Sequence, residues 1–251
     1  MVRGGGGTRG GNETQGGNCT ALTDVVRMGG RGVTADFLAC DTYSSGLRDQ
    51  DPDGLFGMPS TPYANWMFLD NSTRHTPVYW HLVQSGQIPS AEFGISMVAD
   101  RKGPNGRAGV ITLGGTDRSQ YIPGTLKKIP LNWPLSESRW RWVVDVRGAR
   151  VEGFTLTNST DAFRHLDEFG AAEQKTDVVV KKKYFNVGEY PGMPGICQGV
   201  YADPARPARE PINGRPAWIF GSPWLRSYYT VWNGVDRTLG FATPAHKDWN
   251  S

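Results

Sequence analysis

Residues 218–241 run Trp-Ile-Phe-Gly-Ser-Pro-Trp-Leu-Arg-Ser-Tyr-Tyr-Thr-Val-Trp-Asn-Gly-Val-Asp-Arg-Thr-Leu-Gly-Phe, and this order constrains the fold more than any other stretch. Residues 218–220 form a short apolar run stopped by Gly221, which suits a buried strand end. Ser222 can cap a helix start, because its hydroxyl can accept from free N–H groups in the first turn. Pro223 then stands at the first helical position, where its missing N–H costs nothing. Residues 224–228 make one or two helical turns. Residues 229–232 carry aromatic and β-branched strand chemistry. Asn233-Gly234 begins a turn longer than the two-residue hairpin type, and residues 238–242 return as a strand.

The rest of the chain follows the same grammar. Its 33 glycines and 17 prolines suit many short strands joined by turns. Residues 22–28 are a strand candidate, and Gly29-Gly30-Arg31-Gly32 turns it back. Val33, Ala35 and Phe37 alternate with Thr34, Asp36 and Leu38 as a second strand. Residues 76–86 read as a helix, with Thr76 as its cap, Pro77 at the first position and Gly86 closing it. Phe93, Ile95 and Met97 alternate along one face, residues 101–107 turn, and residues 109–117 return. Trp140, Trp142, Val144 and Val146 alternate with Arg141, Val143, Asp145 and Arg147, the period of a half-buried strand. Ala162, Phe163, Leu166 and Phe169 stand at helical spacing and predict a helix over 161–170. Residues 177–180 form a last short strand before a poorly patterned segment, 181–216.

Composition narrows the function classes. A chain of 251 residues can form one large β domain or two lobes. With 38% hydrophobic and 20% charged residues it can build an ordinary globular core. The net charge of +3 does not argue for a nucleic-acid partner, and Lys181-Lys182-Lys183 reads as a solvated loop. No apolar run approaches the roughly 18 residues of a membrane span. Residues 1–17 are glycine-rich, lack the apolar core of a signal peptide, and are expected to be flexible. Four Asn-x-Ser/Thr sequons, at Asn12, Asn18, Asn71 and Asn158, tilt towards a secretory history. Cys19, Cys40 and Cys197 allow one disulfide at most, or none.

Several of these stretches share one resemblance. The pattern over 218–242, Asp53-Gly-Leu-Phe-Gly57, and Leu113-Gly-Gly-Thr-Asp117 together resemble the signatures of pepsin-like aspartic proteases. Residues 22–38 resemble the strands that follow the flap, and residues 76–86 a helix of that family. The resemblance runs in order over most of residues 20–245. It implies a mainly β, pepsin-like fold of two lobes, with the first shortened at its N-terminus and the second shortened internally. The implied division is a tail at 1–17, a first lobe with an inter-lobe strand at 18–131, and a second lobe at 132–251. It further implies peptide-bond hydrolysis without a cofactor, polypeptide substrates or ligands in an inter-lobe cleft, and a secreted or vacuolar setting.

In that family two aspartates, one from each lobe, share a proton and activate a water between them. Each sits in Asp-Thr-Gly-Ser/Thr, and this sequence contains no Asp-Thr-Gly. The first motif belongs upstream of the flap, where this sequence begins. The second is expected between residues 146 and 161, where only a short stretch stands; a second shortening is expected between residues 180 and 197, with the partner of Cys197. Asp41-Thr-Tyr-Ser-Ser45 imitates the motif, but tyrosine cannot replace a glycine that turns a backbone tightly. Asp41 is thus a surface residue in the main reading and the one catalytic candidate in the other; Glu152-Gly153 could be a relic of the second motif.

Other chemistries lack a pattern. His75, His81, His165 and His246 have no metal-ligand spacing. The sequence has no Gly-x-Ser-x-Gly elbow and no phosphate-binding loop. The nine tryptophans suit core and cleft walls better than a sugar platform. Two function classes remain. One is an aspartic endopeptidase family member inert as this stretch alone. The other is a non-catalytic pepsin-fold binding or inhibitor protein. Unpaired strand edges are expected to make residues 140–251 the weaker half.

Overall fold

The computed structural model describes residues 17–43, 54, 56–62, 64–65, 74–97, 109–139, 141–145, 150–151, 154–155, 186–190, 193–199 and 222–245. In chain order its elements are β1 (Gly17–Met28), β2 (Arg31–Tyr43), β3 (Ala64–Asn65), β4 (Arg74–His75), α1 (Val78–Gln84), β5 (Glu92–Met97), β6 (Gly109–Leu113) and β7 (Lys127–Pro130). There follow α2 (Trp133–Arg139), β8 (Arg150–Val151), β9 (Phe154–Thr155), β10 (Asn186–Tyr190), β11 (Met193–Gly199), α3 (Ser222–Leu225), β12 (Tyr229–Asn233) and β13 (Thr238–Ala242). The described chain is therefore mostly β, in keeping with the pepsin-like fold. It divides into two compact units: Met1–Ala91 with Ser136–Trp142, and Glu92–Leu135 with Val143–Ser251.

In the first unit β1 and β2 form a long antiparallel hairpin. Gly29 and Gly30 join them with φ of 57° and 76°, values that favour glycine and that suit a two-residue turn matched to strand twist. The turn is tighter than the four residues expected: Arg31 and Gly32 already pair with Met28 and Arg27. Cys19 and Cys40 face each other across the ladder and form a disulfide. Next to it the register slips, leaving Asp41 without an opposite residue, as at a β-bulge. Midway along, the Thr23 hydroxyl donates to Asp36, its cross-strand partner, at 2.6 Å.

Helix α1 lies against β2 and buries Tyr79, Trp80 and Leu82. Thr76 does not cap it, contrary to expectation. The helix starts at Val78, with Pro77 as its cap residue and no side-chain cap bond; the Thr76 hydroxyl stands one residue too early to serve the first turn. Gly86 ends the helix as expected, at φ 70°. Residues 58–60 are pinned by indoles and a hydroxyl. Trp80 Nε1 donates to the Pro59 carbonyl at 3.0 Å and Trp142 Nε1 to that of Met58 at 2.8 Å. The buried Ser60 hydroxyl lies between the carbonyls of Ser136 and Arg141.

The second unit is built on a five-stranded antiparallel sheet of order β6-β5-β12-β13-β7. Its core is the aromatic and β-branched stretch of β12 and β13. Val231 is fully buried and pairs with Gly94 on one side and Gly240 on the other. Tyr229 stacks on Tyr121 with ring centres 5.0 Å apart, and Trp224 meets Phe241 edge-on at 4.7 Å. A Cβ on Gly94 would stand 1.9 Å from Tyr229 Oη, so only glycine admits the ring there. β12 and β13 come from the far end of the chain yet pair with β5 and β7. Both strands are largely buried.

Three readings need correction. The strand expected over residues 140–147 does not form across the described residues 141–145, which are irregular. Single contacts hold them instead: the Val143 carbonyl accepts from the Asn132 N–H. Before them stands the unforeseen α2, where Asn132 Oδ1 accepts from the Leu135 N–H at 3.4 Å, an N-cap arrangement. The poorly patterned segment after residue 181 contains the β10–β11 hairpin. The helix expected over 161–170 and the strand at 177–180 lie outside the described residues.

Candidate functional site

Two of the motif stretches, 113–117 and 218–242, meet in the second unit. Leu113-Gly-Gly-Thr-Asp117 leaves β6 through Gly114, whose N–H donates to the Glu92 carbonyl at 2.8 Å. Asp117 then caps a short 3-10 turn, Arg118–Gln120, accepting from the Ser119 N–H at 2.9 Å and the Ser119 hydroxyl at 2.6 Å. Those Ser119 bonds hold its carboxyl below the ordinary aspartate range, with Gln120 adding to them. The Asp117 N–H donates to Tyr229 Oη at 3.0 Å. Burial pushes the Tyr229 phenol above its ordinary range, with the Asp117 charge acting in the same direction. Two motifs far apart in sequence are thus joined through one phenol.

A second polar knot closes the turn after β12. Asn233 is buried, and its side-chain oxygen accepts from the Asp236 N–H at 2.7 Å. Its amide nitrogen donates to Glu92 at 2.6 Å and to Asp236 at 3.1 Å. Lys128 stands 4.0 Å from Glu92 and 3.8 Å from Asp236. Arg237 follows in the left-handed region at φ 56°, with its guanidinium 3.9 Å from the centre of the Trp133 ring. Glu92, Lys128 and Asn233 were not anticipated as partners. The only signal was the Asn-Gly pair, since asparagine readily bonds its own turn.

A water-activating aspartate pair needs two carboxylates around one shareable proton. The described aspartates mostly face other donors. Asp24 accepts from the Val25 N–H, Asp36 from Thr23, Asp145 from Asn132, Asp236 from Asn233, and Asp117 from Ser119. Between Glu92 and Asp236 the shared donor is an amide nitrogen, which releases no proton. Asp41 lies exposed on β2 at the bulge. It stands in extended strand. Among the described residues no three His, Cys, Asp or Glu side chains converge as metal ligands.

Several remaining candidates cannot be placed. Glu152 and the sequon residues Asn12, Asn71 and Asn158 lie outside the described residues, while Asn18 stands on β1 opposite Thr42. Cys197 stands on β11 opposite Glu189. No helix among the described residues is long and apolar enough to cross a membrane.

A known family model matches much of the chain. Residues 10–172 fit the family model described as eukaryotic aspartyl protease. The matched stretch takes in the hairpin, α1, the Leu113–Asp117 motif and β5 to β7. With nearly two thirds of its length matched, the chain belongs to the eukaryotic aspartyl protease family.

Proposed function

We propose that the chain is an aspartic endopeptidase family member whose residues 1–251 do not hydrolyse peptide bonds by themselves. One observation carries this reading. Asp24, Asp36, Asp117, Asp145 and Asp236 each accept from a donor of the scaffold, and the sequence offers no Asp-Thr-Gly. Asp41 is a surface residue of the hairpin with no catalytic part. The ligands of the fold are polypeptides, with no metal and no nucleic acid. The Cys19–Cys40 disulfide supports an oxidising, secreted or vacuolar setting, in which Asn18 and the other sequons can carry glycans.

The test is acid proteolysis. Purified residues 1–251 are incubated with a denatured protein substrate at acid pH, with and without pepstatin. No inhibitor-sensitive cleavage is expected. Cleavage lost on Asp41→Asn would overturn the reading and make Asp41 catalytic. A second reading, a non-catalytic pepsin-fold binding or inhibitor protein, is supported by the well-packed sheet around Val231. Saturable binding of a labelled peptide that is never cut would favour it.

A further inference from the structure

An asparagine followed by glycine is chemically labile, because glycine has no Cβ to hinder its own nitrogen. That nitrogen can attack the asparagine side-chain carbon. A bond forms between the two as the glycine nitrogen gives up its proton; the bond to the amide nitrogen breaks, and ammonia leaves. Solvent water then opens the cyclic imide at either carbonyl, giving aspartate or isoaspartate. The sequence holds three such pairs, at Asn105, Asn213 and Asn233. Of these, Asn233 lies among the described residues.

Asn233 ends β12, between its pairing partners Glu92 on β5 and Thr238 on β13. It is 5% exposed, while Val235 and Asp236 in the turn beyond it face solvent. Its amide is held at both ends. The oxygen accepts from the Asp236 N–H at 2.7 Å, and the nitrogen donates to Glu92 at 2.6 Å and to Asp236 at 3.1 Å. Attack makes the flat amide carbon tetrahedral and expels the nitrogen, so these bonds must loosen first. It also builds negative charge on the amide oxygen beside two carboxylates, which repel it. Lys128, 4.0 Å from Glu92 and 3.8 Å from Asp236, is already shared between them.

We propose that Asn233 is a gated deamidation site: Glu92 and Asp236 hold its amide unreactive while this end of the sheet is closed, and the reaction proceeds when that end opens. The product does not close as before. An aspartate at this position lays a carboxylate against Glu92, its cross-strand neighbour, and like charges facing each other destabilise a strand pair. An isoaspartate adds a backbone carbon where β12 must keep register with β13. The change is one-way, so the turn retains a record of past openings.

Peptide mapping of the full chain, aged at mildly alkaline pH both native and in urea, tests this. Asn233 should react at least about tenfold more slowly in the native chain. Glu92→Ala frees the amide and should speed the native reaction by about tenfold, whereas Glu92→Gln keeps an acceptor and should stay near the wild type. Amide exchange at Val231 separates local release from global unfolding, and its protection should persist in Glu92→Ala. Asn233→Asp should lower the urea midpoint at neutral pH, and the loss should shrink at acid pH, where two carboxylates can share a proton. Equal rates at Asn233 in the native and urea-unfolded chain, or a rate unchanged by Glu92→Ala, would overturn the proposal. So would acceleration that comes only with lost protection at Val231, or an Asn233→Asp midpoint equal to that of the wild type.

Discussion

The β1–β2 hairpin has the longest strands among the described residues, and yet most of β1 faces solvent: Leu22 and Val25 are each 44% exposed. The five-stranded sheet uses strands of four to six residues, and its central pair buries Tyr229, Val231, Leu239 and Phe241 almost completely. The hairpin is closed at its base by the Cys19–Cys40 disulfide. The sheet has no covalent link among its described strands and relies on packed aromatic rings and paired glycines. Ladder length is therefore a poor guide to strength here. What a strand buries decides the sheet, and a cross-link stands in for burial in the hairpin. A two-stranded ribbon is marginal in water without such help.

The largest expected effect separates the two regions by burial alone. Phe241→Ala removes a ring that is 4% exposed and packed on Trp224 and Tyr228. It should cost about 3–5 kcal/mol. Leu22→Ala in the hairpin should stay within about 0.5 kcal/mol. Urea unfolding of both variants checks this, and similar losses at the two sites would break the comparison.

Next comes the phenol that ties two motifs together. Tyr229→Phe leaves the Asp117 N–H without its acceptor and should cost about 1–3 kcal/mol. The same phenol gives the sheet an alkaline limit. Its folded pKa is raised above the ordinary 10.0, so its contribution is complete below that value and is lost as pH climbs through the folded one. The alkaline loss should shrink in Tyr229→Phe, as followed by thermal melts across pH.

Asp117 works in the opposite direction and more weakly, because it is close to solvent. Its folded pKa lies below the ordinary 3.8. Its contribution is present above 3.8 and fades only as pH falls through the lower folded value. Asp117→Asn should flatten that acid limb. Smallest of all is Thr76→Ala, expected within about 0.5 kcal/mol, since Thr76 is not the cap of α1. A loss near that of a true helix cap would restore the capping role that the sequence suggested.

The sheet was the more legible region. Residues 229–242 alternate apolar and turn residues so sharply that strand, turn and strand could be placed from chemistry alone. The hairpin strands were also readable, but their disulfide was not, because three cysteines permit more than one pairing and spacing does not choose among them. Helix α2 escaped notice because its only signals are Asn132 as cap and Pro134 in the first turn. The β10–β11 hairpin was hidden by Pro191, Gly192, Pro194 and Gly195, which interrupt any alternation. Of the candidate site, the Asp117–Tyr229 link lay within motifs already singled out. The Glu92–Asn233–Lys128 knot joins residues that no local pattern connects.

Residue-resolved hydrogen exchange, with and without a reductant, tests most directly whether the two regions are held by different means. Opening the disulfide should release about 3 kcal/mol of chain-entropy stabilisation from the loop that it closes. The account predicts faster exchange throughout β1 and β2 after reduction, with β5, β12 and β13 unchanged. Faster exchange in β12 and β13, or a hairpin that keeps its protection once reduced, would contradict it.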